Sequence, residues 1–169
     1  MDGRPAAAGL LVVNDFGTRI ALEGEVVARP DDGLTLVRIP AGPRVSSLAE
    51  GLYHDGWARG NLRYRTWPAN AGPGVYRVVV SLPPGADERD VMVEVEGGAS
   101  RAVRLAGGES VRVELPAGDA ARTLHITSNR AEILDGGGAN PRIVSFRVDR
   151  LEYVPGARLA GGRGGVLGL

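Results

Sequence analysis

The stretch Asp90-Val-Met-Val-Glu-Val-Glu-Gly-Gly98 decides the fold class. Val91, Val93 and Val95 alternate with Asp90, Met92, Glu94 and Glu96. A helix would scatter those valines around its circumference, whereas a strand gathers them on one side. Gly97-Gly98 then supplies two residues that tolerate the positive φ of a tight hairpin turn. The same period of two extends outward. Val103 and Leu105 follow, Gly107-Gly108 turns the chain again, and Val111, Val113 and Leu115 alternate with Arg112 and Glu114 before Pro116. Upstream, Tyr76, Val78, Val80 and Leu82 share a face and stop at Pro83-Pro84-Gly85. Downstream, Leu124 and Ile126 alternate with Thr123, His125 and Thr127.

The last apolar segment, Arg142 to Tyr153, changes phase. Its inward set passes from Val144, Phe146 and Val148 to Leu151 and Tyr153, which requires one extra residue and predicts a bulge near Asp149-Arg150. The first half is more loosely punctuated. Strands are expected over Leu10–Phe16, Ile20–Ala28 and Leu34–Ile39, while Val45–Leu52 is ambiguous and admits one helical turn over Ser46–Glu50. Leu62, Tyr64 and Thr66 should face one way, and Arg63, Arg65 and Trp67 the other. Pro68–Gly74 and Ala131–Pro141 read as loops. About ten short strands with turns every 8–12 residues predict an all-β, antiparallel β-sandwich. Its core should comprise Tyr76, Val78, Val80, Val91, Val93, Val95, Val111, Val113, Leu124, Ile126, Val144, Phe146 and Val148. The sandwich is expected over residues 10–155, with a leader at 1–9 and a glycine-rich tail or linker at 156–169.

Composition bounds the function. A chain of 169 residues can bury a sizeable core. The net charge is +0, so no global field draws the protein to nucleic acid or an acidic membrane surface. No apolar run approaches the roughly 20 residues of a membrane-spanning helix. Cysteine is absent, which excludes disulfides, thiol nucleophiles and thiolate metal sites. Every cationic side chain of the Lys/Arg class is arginine. That pattern suits planar recognition of carboxylate or phosphate; a GC-rich coding sequence would produce it too, together with the Ala, Gly, Val and Pro richness.

Aromatic residues are scarce, and they concentrate between Glu50 and Pro68. The segment Gly51-Leu-Tyr-His-Asp-Gly-Trp57, continued to Trp67, holds both tryptophans, two of the four tyrosines and one of the two histidines. Sugars are bound by aromatic faces, which cover C–H-rich surfaces, and by flanking polar groups, which meet hydroxyls. Tyr53, His54, Asp55, Trp57, Arg59 and Asn61 offer both, with Arg63 or Trp67 as a second wall. The structural alternative is that Trp57 plugs one end of the sandwich and Tyr53 hydrogen-bonds backbone. Asn129, Arg130, Glu132 and Asp135 form a second polar group, but calcium needs six to eight oxygen ligands and this loop supplies few carboxylates. No Gly-x-Ser-x-Gly elbow, Walker loop or His-Glu-x-x-His motif occurs. Asp55 with Asp135 or Glu132 would make a glycosidase-like carboxylate pair only if the fold brought them together.

The order of a Gly-Leu-Tyr-His-Asp-Gly-Trp loop, regular strands with two-residue turns, an Asp135-Gly-Gly-Gly loop and a closing Val-Ser-Phe-Arg-Val-Asp-Arg-Leu-Glu-Tyr strand resembles galactose-binding-like jelly rolls of the carbohydrate-binding-module type. Similar modules accompany bacterial glycosyltransferases and cell-wall arabinosyltransferases. The resemblance implies a jelly-roll sandwich that binds carbohydrate without catalysis, within a larger cell-envelope or extracellular protein. It implies no cofactor and no catalytic residue, and it admits a structural calcium. It transfers no site signature; the expected ligand-binding residues are Tyr53, His54, Asp55, Trp57, Arg59, Arg63 and Trp67. The expected partners are an oligo- or polysaccharide and other domains of the same protein, with no nucleic acid and no direct membrane insertion. Two other classes stay open: a structural or protein-interaction jelly roll, and a glycan hydrolase or lyase.

Overall fold

A computed structural model describes residues 8–14, 17–31, 34–67, 72–118, 123–134 and 141–157. All regular structure in these residues is extended. The strands are β1 (Gly9–Asn14), β2 (Thr18–Leu22), β3 (Glu25–Asp31), β4 (Leu34–Ile39), β5 (Val45–Leu52), β6 (Trp57–Thr66) and β7 (Gly74–Ser81). The chain continues through β8 (Arg89–Val95), β9 (Ser100–Leu105), β10 (Ser110–Ala117), β11 (Thr123–Ser128), β12 (Glu132–Leu134), β13 (Arg142–Val144) and β14 (Phe146–Pro155).

One layer has the order β2-β5-β6-β11-β8-β9, and the other β14-β7-β10. Their strand pairings are all antiparallel. The layers join at the start of β14, where Phe146 and Arg147 pair with Ala58 and Trp57 of β6. Among β5–β11 and β14, the second, seventh, fourth and fifth strands lie side by side, and the third lies between the sixth and the eighth. Those seven strands follow the order of a jelly roll, but the first, β5, pairs with the second, β6, and not with the eighth, β14, so this antiparallel β-sandwich departs from the complete double Greek key. Strands β1, β4 and β3 form a separate three-stranded sheet, and β12 pairs only with β13.

The core follows the period of two. Val93, Ile126 and Leu62 lie in register across β8, β11 and β6, all fully buried. Val78 lies between Val113 and Leu151 in the facing layer. Burying each such aliphatic side chain contributes about 1.5–3 kcal/mol. The expected core residues are all buried except Val111, which is half-buried at the start of β10, where the same face closes over only from Val113 onward. Among the described residues the central cluster begins at Ala49 and includes none from the β1-β4-β3 sheet. The register of β14 against β7 shifts between Val148 and Arg150, at the expected bulge.

Four local expectations change. Ser46–Glu50 is not a helical turn: β5 hydrogen-bonds β2 on one side and β6 on the other, so tertiary pairing supplies partners that a lone turn would lack. Ile20–Ala28 splits into β2 and β3 at Glu23-Gly24, where the Glu23 N–H donates to the Arg44 carbonyl at 2.8 Å. The expected Ala131–Pro141 loop contains β12; residues 135–140 lie outside the described set. Strand β6 begins at Trp57, well before Leu62, the first apolar position of the alternating pattern, because Leu52 and Phe146 pair with Ala58 from its two sides.

Candidate functional site

The turn between β5 and β6 is built by its own residues. The Tyr53 N–H donates to the Trp57 carbonyl at 2.8 Å, and the Gly56 N–H to the Tyr53 carbonyl at 3.1 Å. Asp55 Oδ1 accepts the Trp57 N–H at 3.3 Å, the short-range bond for which Asp is favoured in turns. Gly56 adopts φ 88°, where a side chain would strain the backbone. Its carbonyl accepts the Val148 N–H at 2.8 Å, fixing the turn to the sandwich.

Arginines surround this turn. Tyr53 is buried, with the guanidinium carbons of Arg59 and Arg142 over its ring at 5.5 and 5.2 Å from the centroid. Arg59 Nε also donates to the Tyr53 hydroxyl at 3.2 Å. Arg142 reaches Asp55 Oδ2 at 2.8 Å. Partial burial pushes the Asp55 carboxyl up, but hydrogen bonds from Arg142 and the Trp57 N–H, with the charges of Arg142 and His54, outweigh it and hold the group below its ordinary range. Arg147 donates to the Asp55 carbonyl at 3.5 Å and Arg19 to the His54 carbonyl. Gly17, at φ 78°, leaves room for Arg59: a Cβ there would sit 3.3 Å from a guanidinium nitrogen.

The expected ligand residues divide into groups. Tyr53, Asp55 and Arg59 come together; Tyr53 is buried with two guanidinium groups near its ring, so its ring is not an open stacking face. Its hydroxyl meets a side chain, Arg59, not backbone. His54 is exposed at the tip of the turn, and Trp57 is half-buried at the start of β6 with Arg147 directly across. Arg63 lies midway along the outer face of β6, between Glu50 of β5 and His125 of β11. Trp67 is 47% exposed just beyond β6. That strand has 10 residues, so roughly 30 Å of chain separates the two tryptophans, and the structure does not bring Trp67 to the turn. Arg19, Arg142 and Arg147 carry no signal in the local sequence; their recruitment follows from β2 lying beside β5 and from β13 and the start of β14 lying beside the start of β6.

The other polar group is internal bracing. Asn129 exchanges hydrogen bonds with Asp90, Arg130 pairs with Asp87 at 2.6 Å, and Glu132 pairs with the buried Arg89. Asp135 lies outside the described residues. No group of three or more His, Asp or Glu side chains able to hold a metal occurs among the described residues. A cavity of about 270 Å³ opens between β2, β5 and the later part of β14, lined by Arg19, Ser47, Leu52, Tyr64, Asp149 and Leu151 among others. The sequence matches no family model and no curated protein.

Proposed function

We propose that this β-sandwich is a non-catalytic carbohydrate-binding module of a larger cell-envelope protein, and that it binds at the Trp57 end of β6. The observation that carries this reading is the half-exposed Trp57 beside exposed Arg147, above a turn whose polar groups are already locked in place. The indole supplies an apolar face, the guanidinium groups supply planar donors for sugar oxygens, and the prior ordering of the turn lowers the entropic cost of binding. The environment of Asp55 argues against the general-acid role of a glycosidase. A glycosidase acid must hold its proton near neutral pH, whereas Asp55 is kept ionised by Arg142. Of its two expected carboxylate partners, Glu132 is engaged by Arg89, and Asp135 lies outside the described residues.

Saturable binding on a glycan array, abolished by Trp57→Ala with a Tm within about 4 °C of the parent, is the expected result. A stable Trp57→Ala protein that binds glycans as the parent does would overturn the choice of site. The β1-β4-β3 sheet favours a second reading, a protein-interaction domain. It exposes Leu10, Val26 and Val27 outside the main core, and silence across the array would support that role.

A further inference from the structure

We infer that the ligand at this site is an acidic glycan, one that carries a carboxylate, phosphate or sulfate group; the inference rests on the carbohydrate reading and narrows it. The basis is a local excess of guanidinium groups around one turn. The whole chain has 20 cationic and 20 anionic side chains, and several arginines elsewhere meet acids: Arg38 with Glu25, Arg65 with Glu50, Arg130 with Asp87. Around residues 53–57, the guanidinium groups of Arg19, Arg59, Arg142 and Arg147 converge, and the carboxylate of Asp55 is taken by Arg142. Among the described residues, Arg19 and Arg147 donate to main-chain carbonyl oxygens and Arg59 to a phenol, none of them to a carboxylate. Asp149 shares the neighbouring cavity with Arg19, which leaves Arg59 and Arg147 as the cations of this group without an acid partner among the described residues.

Those two are the groups best placed for a ligand. Both are exposed, and among the described residues each is held by a single neutral acceptor, which leaves most of its five N–H donors without a described partner. Both also sit on the outward phase of the strands that carry them, and Arg147 pairs directly across from Trp57. A sugar ring stacked on the indole would bring an acidic substituent to a planar, bidentate donor. The anchoring of Arg59 by Tyr53 and Gly17 fixes one guanidinium in advance, which reduces the cost of ordering it.

Matched glycan pairs test this directly. Polygalacturonate is compared with its full methyl ester, dextran sulfate with dextran, and phosphomannan with mannan, by titration at low and moderate salt. The acidic member of at least one pair should bind about tenfold or more tightly than its neutral partner, and roughly 0.5 M NaCl should erase most of that preference. The pair that responds identifies the anion. Arg147→Gln should lose most of the preference with an unchanged Tm, whereas Arg101→Gln, on distant β9, should keep it. Equal binding of both members of every pair would overturn the acidic-ligand inference and leave the carbohydrate reading intact. Absence of binding to all of these glycans would overturn both. A preference that survives Arg147→Gln and Arg59→Gln alike would place the anion elsewhere and overturn the site.

Discussion

Arg89 and Arg142 are both arginines paired with a carboxylate, but their surroundings differ. The Arg89 side chain is 1% exposed, on the inward phase of β8 with Val91, Val93 and Val95. It donates to the Ser145 carbonyl and pairs with Glu132, so one buried cation meets one acid and one carbonyl. Arg142 is 28% exposed, and it belongs to a group in which guanidinium groups outnumber carboxylates. A buried cation must be balanced locally, because an uncompensated charge in a low-dielectric core costs several kcal/mol. A partly solvated group has no such constraint and can hold an excess. The difference separates an arginine that braces the sandwich from arginines with donors to spare for the proposed ligand. Residues 142–147 serve both clusters: Ser145 accepts from Arg89, Phe146 fills the core, and Arg142 and Arg147 complete the site.

This contrast can be broken at several points. Phe146→Ala removes the fully buried ring between the clusters and should cost about 3–5 kcal/mol in urea unfolding. A loss near zero would mean that β14 does not hold the two layers together. Glu132→Ala strands the buried Arg89 charge; after allowance for the half-exposed glutamate, the expected cost is about 1–3 kcal/mol. Unchanged stability would remove the bracing role. Asp55 should show itself through pH. Its carboxyl is held below the ordinary value of 3.8, so its stabilisation is full above that value and disappears as pH falls through the lower native value. The stability gap between the parent and Asp55→Asn should therefore be constant from about pH 7 to about 5 and close toward about pH 2. A gap that persists in strong acid would show that the Arg142 pair does not set it. Arg147→Gln is the smallest perturbation: stability should stay within about 0.5 kcal/mol while the preference for acidic glycans falls. A marked loss of stability would move Arg147 into the bracing class.

Much of the sandwich was legible in the sequence because burial imposes a period of two on valine, leucine and isoleucine. Val91, Val93 and Val95 announce their inward face without any partner strand in view, and so do Leu124 and Ile126. The slip from Val148 to Leu151 likewise predicts the bulge. Arg89 escaped that reading. It continues the inward phase of β8, yet an arginine there looks like a strand end until its partners, the Ser145 carbonyl and Glu132, are seen. Strand β5 escaped as well, since Ser-Ser-Leu-Ala-Glu suits either conformation and only its pairing with β2 and β6 decides.

At the site, sequence alone determined the turn chemistry: Asp55 and Gly56 set a tight connection, and Tyr53 and Arg59 lie close enough to meet across it. Tertiary structure decided the remainder. It brought Arg147 to Asp55 across 92 positions and Arg19 to His54 across 35, and it carried Trp67 to the far end of β6, a strand of 10 residues that begins at Trp57. The physical reason is that hydrophobic burial writes a periodic signal into the strands that form the core. Outward-facing arginines obey no period, and what they meet is settled only by which strands the layers set side by side.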